Sequence, residues 1–250
     1  MKSVVVFKWA TDPRDIHVFS DGRVDQSDAS FWVGDDDYLA VKAACDAAGE
    51  DGEVCGLTMA GGDISFAAAR GASMTYTIQG LSVAADSLVR AKVLAAAIKK
   101  IGNVDVVTIG DADWDPAVPV LLGGLLEWET LMGAEEAVRN QDGLIVTRRY
   151  GIGSQKTLVK GPVVLGVAAK KEEESKPGMR TVITARKKPV IKIGIEELGL
   201  DTSLDYTSVG TALPEGREPR IYDGADPEEA VAQLIRTLQS DVLPVSLPFL

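Results

Sequence analysis

The sequence predicts an open, doubly wound α/β fold whose central sheet is mainly parallel. Short apolar runs rich in Val and Ile alternate with helix-like segments four times before about Leu131. The connections are long enough for right-handed crossovers between parallel strands. The runs are also nearly continuously apolar, as in strands that helices cover on both faces of a sheet. The pattern changes after Leu131, where an antiparallel extension and a C-terminal tail are expected.

The chain begins with a strand in KSVVVFKWA, followed by a small hairpin around the turn Ser20-Asp21-Gly22. A helix from about Asp36 to Ala48 is then indicated, because its start is acidic, its body is rich in Ala and a Gly follows. The remaining elements of this part are strands in EVCGLTMAG, TYTIQG and VDVVTIG, and helices in DISFAAARGAS, AADSLVRAKVLAAAIKKIG and AVPVLLGGLLEW.

We expect a body of residues 1–193, with antiparallel arms at about 134–170 around turns near Asp142-Gly143 and Gly151-Gly153. Residues 194–250 form the tail, in which DPEEAVAQLIRTLQS predicts a last helix. A tail this long and this poor in core-forming runs needs a surface to lie against. That surface is either its own body or a partner subunit.

The bulk composition excludes several classes of partner. A net charge of −11 argues against binding nucleic acid or an anionic membrane through the general field of the protein. No stretch approaches the roughly 18 apolar residues of a membrane span, so membrane insertion is not expected. Cys45 and Cys55 have neither metal-binding nor redox spacing, and the start does not resemble a signal peptide. We therefore expect a cytoplasmic location.

The segment DVVTIGDADWDPAVPV is the clearest candidate site. Its strand ends in Gly110, at the edge of an open α/β sheet where ligands bind. The loop that follows has no Lys, Arg, Ser or Thr to meet a phosphate. It contains instead three aspartates and two prolines, which are Asp111, Asp113, Asp115, Pro116 and Pro119.

No catalytic constellation is visible in the sequence. His17 is the only histidine, and it lies in the expected hairpin, where a surface position is favoured over a catalytic base. The cluster Asp35-Asp36-Asp37 could bind a cation, but acidic residues also favour a helix N-terminus. No metal site is expected. The residues alone leave an electron carrier, a binding subunit and a scaffold open.

The chain nevertheless resembles the β subunit family of electron transfer flavoproteins over nearly its whole length. Six segments that are similar to family segments occur in the right order and spacing. They are VVVFKWATDP (VxVKxVPD in the family), VGDDDYLAVKAA (NPDDENALEEAL), GLTMAGG (TMGPP), AADSLVRAKVLAAAIKK (ADTLATSYALAAAIKK), GMRTVITARKKPV (SLRGIMKAKKKPI) and IEELGLD (LADLGLD).

The resemblance implies an adenine-nucleotide α-hydrolase-like domain that forms a heterodimer with an α subunit. In this family the pair passes electrons from a flavin dehydrogenase to an acceptor, and the α subunit holds most of the redox FAD. The β subunit usually holds a structural AMP, or a second FAD in electron-bifurcating members. We therefore expect an electron-carrier subunit rather than an enzyme. A nucleotide-free scaffold or docking subunit and a bifurcating β subunit are the alternatives.

The family's nucleotide contacts transfer to the end of the first strand, the start of the first helix, the end of the second strand and the loop after Gly110. The matching positions are Val6, Val33, Gly34, Asp35, Asp36, Met59, Gly110, Asp111, Ala112, Asp113, Trp114, Asp115, Ala117 and Val118. In the family this loop reads GxQAIDGDTGQVGP, and its Thr, Gln and glycines donate to the phosphate.

The loop GDADWDPAVP lacks those Thr, Gln and Gly donors. Its aspartates would repel a phosphate, whereas a helix N-terminus behind Pro116 would attract one. We expect AMP to bind weakly or not at all. Trp114 would either fold over the mouth of the cleft or stack on an adenine.

The resemblance also implies two partner-binding regions. Met179 stands where a family Leu anchors the dehydrogenase, in an expected docking loop at about 175–188, and Arg180 follows it. An ordinary half-covered loop methionine is the alternative. The tail is expected to bind the α subunit, because Ala230, Leu234 and Leu238 share one face of the last helix.

Overall fold

The apolar run after Met1 forms β1 (Lys2–Val6), which pairs in parallel with β6 (Glu53–Thr58) on one side and β8 (Val106–Gly110) on the other. The computed structural model describes residues 1–59, 62–81, 85–110, 115–168, 176–200 and 219–241. The chain adds strands on one side of β1 and then on the other. The carboxyl ends of β1 and β8 therefore form a topological switch point.

The described residues place nine strands in the main sheet, in the order β11-β10-β9-β12-β8-β1-β6-β7-β13. The strands not yet defined are β7 (Met74–Gln79), β9 (Glu129–Asn140), β10 (Gly143–Tyr150), β11 (Gly153–Val159), β12 (Val163–Val167) and β13 (Val190–Gly194). All adjacent pairs from β9 to β13 in this order are parallel, and β9-β10-β11 is an antiparallel extension. The predicted fold class is confirmed.

Helices cover both faces of this sheet. α1 (Asp35–Ala48) packs on one face, and α2 (Ser87–Ile101) and α3 (Ala117–Leu126) pack on the other. Side chains alternate along β1, so Val5 joins the buried cluster of α1 while Val4 joins that of α2 and α3. Burial on both faces explains why the strand reads as a continuous apolar run.

The expected hairpin near the N-terminus is present. β3 (His17–Val18) pairs antiparallel with β4 (Val24–Asp25), and next to it in sequence β2 (Trp9–Thr11) pairs antiparallel with β5 (Phe31–Val33). The expected helix in DISFAAARGAS is shorter than predicted, since only a 3-10 turn at Ala68–Arg70 forms. Glycines on both sides leave too few residues to nucleate a full α-helix.

Two expectations for the second half need correction. The expected arms at 134–170 included β12, but β12 pairs in parallel with β8 and β9 inside the sheet. All five of its residues are buried, which is why the segment VVLGV is apolar throughout.

The docking segment at 175–188 is also not simply a loop, because α4 (Met179–Ala185) forms within its described part. The backbone N–H of Val182 donates to the carbonyl oxygen of Gly178 at 3.1 Å, which closes the first turn. Val182 and Ala185 then pack against Ala68 and Ala69. This small apolar contact, between residues distant in sequence, stabilises the helix.

The chain divides into two compact units, Met1–Gly210 and Thr211–Leu250. The first unit extends into the expected tail. Ile195 and Leu198, which belong to that tail, pack against the apolar cluster of α2 and α3. The second contains α5 (Pro227–Asp241), the expected last helix. Within the described ranges, no helix is both long and apolar enough to cross a membrane.

Candidate functional site

A cleft opens at the carboxyl ends of β1 and β8, at the switch point of the sheet. Its enclosed volume is about 60 Å³, well below that of a site that encloses a small molecule. Its walls are largely apolar and are formed by Val6, Phe7, Met59, Leu94, Ile109 and Val118. Gly110 and five charged residues complete the lining, which are Lys8, Asp36, Asp37, Arg90 and Asp115.

The structure brings together residues that are far apart in sequence and were selected as nucleotide contacts. Those that line the cleft are Val6, Asp36, Met59, Gly110, Asp115 and Val118. Ala117 lies next to Val118 in sequence, and Val33 and Gly34 lie shortly before Asp36, but none of the three is part of the lining; Asp35 begins α1. Asp111, Ala112, Asp113 and Trp114 lie outside the described residues. Nucleotide binding at these positions stays a prediction.

Two cations in the lining were missed from the sequence. Lys8 lies just beyond β1, and Arg90 lies in the first turn of α2. The sequence could have indicated Lys8 as a cleft residue, because it closely follows Val6. Val6 and Gly110 end neighbouring strands at the same edge of the sheet. Arg90 gave no local signal, since its side chain reaches the cleft only through the packing of α2.

Arg90 forms an ion pair with Asp115, the last aspartate of the loop. Its Nη1 donates to Oδ2 of Asp115 at 3.0 Å, and Oγ of Ser87 donates to Oδ1 of the same carboxylate at 2.5 Å. The Arg90 and Asp115 side chains are only 22% and 17% exposed. A partly buried, charge-assisted contact of this kind is stronger than a surface ion pair.

The start of α2 is fixed by its own cap. The side chain of Asp86 accepts from the backbone N–H of Val89 at 2.7 Å, which satisfies one of the free donors of the first turn. Ser87 and Arg90 lie on this same turn. The cap therefore holds both donors to Asp115 in register.

Two carboxylates of α1 lie buried at the cleft. Asp36 and Asp37 are 5% and 7% exposed. Burial raises the pKa of Asp37 well above its usual value, and the neighbouring charge of Asp36 raises it further. Hydrogen bonds from the backbone N–H groups of Lys8 and Gly34 oppose this shift in the pKa.

Lys8 experiences competing influences at the cleft. Burial lowers the pKa of its ammonium group, and the positive charge of Arg90 lowers it further. The carboxylates of Asp115 and Asp37 act in the opposite direction and raise the pKa. The cation is thus partly desolvated and lies in the field of the same carboxylates that line the cleft.

Gly110 allows β8 to approach α1 at the floor of the cleft. A Cβ at this position would collide with the carboxylate of Asp36. The absence of a side chain, rather than an unusual backbone conformation, is what the site requires here. Gly110 thus ends β8 and also permits the close packing of β8 against α1 at the cleft.

These charges do not fit a nucleotide phosphate. Among the described residues, the lining has the two cations Lys8 and Arg90 against the three carboxyl groups Asp36, Asp37 and Asp115, and Arg90 is already paired with Asp115. Phosphate sites instead present several donors that converge on an open position. Nor do the described residues contain a cluster of three or more His, Cys, Asp or Glu side chains that could hold a metal ion.

The residues selected for docking lie on α4. Met179 is 77% exposed at the first position of this helix, and Arg180 is exposed beside it. Lys188, shortly after the helix, donates from Nζ to the carbonyl oxygens of Ala68 and Ala72 at 2.9 and 2.7 Å. α4 is therefore tied to the body beyond its C-terminal end and presents Met179 to solvent.

The close approach at the cleft floor predicts the effect of one substitution. Gly110→Ala should lower the free energy of unfolding by about 1–3 kcal/mol, the usual cost of overpacking a buried position. Urea unfolding of the full chain, followed by circular dichroism, measures this change. The matched control is Gly124→Ala in α3, where a Cβ meets nothing within 4 Å. This control should be neutral or stabilising by about 0.5–1 kcal/mol, and equal stability of the two variants would contradict the packing argument.

The comparison with known protein families agrees with the resemblance of the sequence. The model of the electron transfer flavoprotein domain matches residues 33–198. The match begins just before α1, includes β8, and extends through α4 and β13. It thus covers most of the sheet, one side of the cleft and the segment around Met179. The chain belongs to the electron transfer flavoprotein family.

Proposed function

We propose that the chain is the β subunit of an electron transfer flavoprotein. With an α subunit that carries FAD, it would pass electrons from a flavin dehydrogenase to an acceptor. The family match over residues 33–198 is the observation that carries this proposal. The assignment to the β rather than the α subunit rests on the six similar segments in the sequence.

The chemistry of the described residues supports a carrier role. The cleft contains carboxylates and cations, but its described lining has no nucleophile paired with a base. The one histidine, His17, is exposed in a hairpin and makes an edge-on contact with Phe19, with 4.7 Å between the ring centroids. In flavin proteins the cofactor supplies the redox chemistry, and the protein binds and orients it.

The charges of the cleft favour a flavin on the partner rather than on this chain. A second FAD, as in bifurcating β subunits, would bring a pyrophosphate to the lining where Asp115 already pairs with Arg90. A nucleotide-free docking subunit remains the second candidate, and the same ion pair favours it. The two candidates differ in whether the heterodimer carries a redox flavin.

Coexpression distinguishes these candidates. We expect the chain to be colourless when it is purified alone. When coexpressed with an α subunit of the family, it should copurify with a flavin absorption spectrum that dithionite bleaches. A stable pair without flavin would contradict the carrier proposal and support the scaffold.

We also propose that Met179 docks the flavin dehydrogenase. A flexible thioether on the surface is suited to filling an apolar pocket. Its helix is anchored by Val182 and Ala185, so little order would have to be gained on binding. Arg180 and the following basic residues would meet an acidic partner surface.

Replacing this side chain tests the docking role. Met179→Ala should reduce the rate at which the dehydrogenase reduces the flavin of the pair, by roughly tenfold or more if Met179 is a hot spot. Met179→Leu should retain most of that rate. Ile152→Ala is the matched control, because Ile152 is fully exposed in the β10–β11 turn, at the opposite edge of the sheet from β13. A rate for Met179→Ala equal to that of the control would contradict the proposal.

We further propose that α5 binds the α subunit. Val231, Leu234, Ile235 and Leu238 are between 43% and 54% exposed, a large apolar stripe for a single helix. Polar residues lie on other parts of its surface, where Glu229 pairs with Arg236 at 2.6 Å.

Truncation tests this assignment of the second unit. Removing residues 226–250 should leave the body folded but lower the amount of α subunit that copurifies with it. Leu234→Asp should have the same effect, whereas Gln233→Asp, at an exposed polar position of the helix, should not. Copurification of the truncated chain at full stoichiometry would exclude α5 as a binding element.

A further inference from the structure

The last cation of the basic segment behind α4 is bonded to the protein itself. Nζ of Lys188 donates to the carbonyl oxygens of Ala68 and Ala72, which lie 120 and 116 positions away in sequence. Ala68 begins the 3-10 turn Ala68–Arg70, and Ala72 follows this turn closely. Lys188 is half-buried, whereas its neighbour Lys187 is exposed. The two lysines therefore have different surroundings although they are adjacent.

The carbonyl groups of the 3-10 turn explain why a cation lies here. Ala68 and Ala72 are 4% and 0% exposed, and a buried carbonyl group without a donor costs free energy. A lysine is suited to this place because one ammonium group has three donors, and because cations favour the C-terminal end of a helical turn. Lys188 thus supplies donors that the turn needs from a distant part of the chain.

The backbone on both sides of Lys188 is also fixed. The carbonyl oxygen of the next residue, Pro189, accepts from the N–H of Thr75 at 3.0 Å, which joins it to β7. On the other side, the N–H of Lys188 donates to the carbonyl oxygen of Ala185, the last residue of α4, at 3.0 Å. Lys188 therefore links α4, the 3-10 turn and the sheet.

α4 depends on such support. It has seven residues, and an isolated helix of fewer than about 12–15 residues is marginal in water. Its apolar contact with the body is small, because it joins two residues of the helix to two alanines of the 3-10 turn. Met179, at the other end, is 77% exposed and adds little packing. The two hydrogen bonds of Lys188 are therefore a large part of what holds α4 in place.

We propose that Lys188 is a positioning residue for docking, because its ammonium group holds α4 against the body and so presents Met179 in a fixed place before the dehydrogenase binds. The inference rests on the docking role proposed above for Met179. The entropy of ordering α4 is then lost on folding rather than on binding, which favours association. Lys188 thereby differs from the exposed cations Arg180 and Lys187, which face solvent.

Limited trypsin digestion of the full chain alone tests whether Lys188 holds α4. Lys188→Met keeps the aliphatic part of the side chain and removes the ammonium group. It should speed cleavage after Arg180 by roughly tenfold, because cleavage follows the population in which the helix is open. Lys188→Arg should retain most of the protection, since a guanidinium group also donates to carbonyl groups.

Lys187→Met is the matched control for the digestion. It makes the same change at the exposed neighbouring residue and should leave the rate of cleavage after Arg180 unchanged. Mass spectrometry identifies this cut separately from any cut after Lys187. Circular dichroism and thermal unfolding establish that each variant is folded.

Steady-state kinetics with the flavin dehydrogenase that reduces the wild-type pair test the docking step. Lys188→Met should raise the KM for the pair by roughly threefold or more and leave kcat unchanged, since only molecules with α4 in place dock at full affinity. In the Met179→Ala background the same change should have little further effect, because both residues act through one contact. The rise in KM should persist at about 0.5 M salt, which screens exposed charges, whereas any effect of Lys187→Met should disappear.

Several results would overturn the proposal. A rate of cleavage after Arg180 within about twofold of the wild type for Lys188→Met would show that α4 is held without the ammonium group. An unchanged KM for Lys188→Met, with Met179→Ala impaired, would show that the position of α4 does not limit docking. Multiplicative effects in the double variant would show that Lys188 acts elsewhere. If Met179→Ala reacts like the wild type, the docking role itself is wrong, a failure that digestion of the chain alone does not share.

Discussion

The parallel pairing of β1 with β6 on one side and β8 on the other is the constraint on which the rest of the structure depends. It sends the chain outward in two directions and leaves a crevice at the carboxyl ends of β1 and β8. Both faces of β1 must then be covered, and α1 and α2–α3 supply the two buried clusters. Every described charged residue of the cleft lies just after such a strand, in the first turn of such a helix or just before one.

The chemistry of the crevice follows from which charges are paired. Three helices begin at this edge, and helix N-termini favour anions. The chain supplies its own anions there, with Asp36 and Asp37 on α1 and Asp115 just before α3. Arg90 compensates Asp115 directly, whereas burial raises the pKa of Asp37 and so favours its neutral form. The described charges of this crevice are thus compensated in large part by other side chains of the chain itself.

Local pattern was enough to predict the sheet but not the pairing within the cleft. The runs in β1, β6, β7 and β8 are apolar because each strand is buried, and this property is visible in the sequence. The role of Arg90 is not, since it depends on how α2 packs beside the loop that ends at Asp115. β12 and α4 were misjudged for a similar reason. The strands that pair with β12 and the residues that support α4 are distant in the chain. For α4 these residues include Ala68 and Ala69.

The nucleotide content of the heterodimer tests the central claim most directly. The chain is purified with the α subunit proposed as its partner, the protein is denatured, and the supernatant is separated by chromatography against AMP and FAD standards. The account predicts flavin from the α subunit and no AMP, because the described lining has more carboxyl groups than cations and Arg90 is already paired with Asp115. One equivalent of AMP per heterodimer would contradict it.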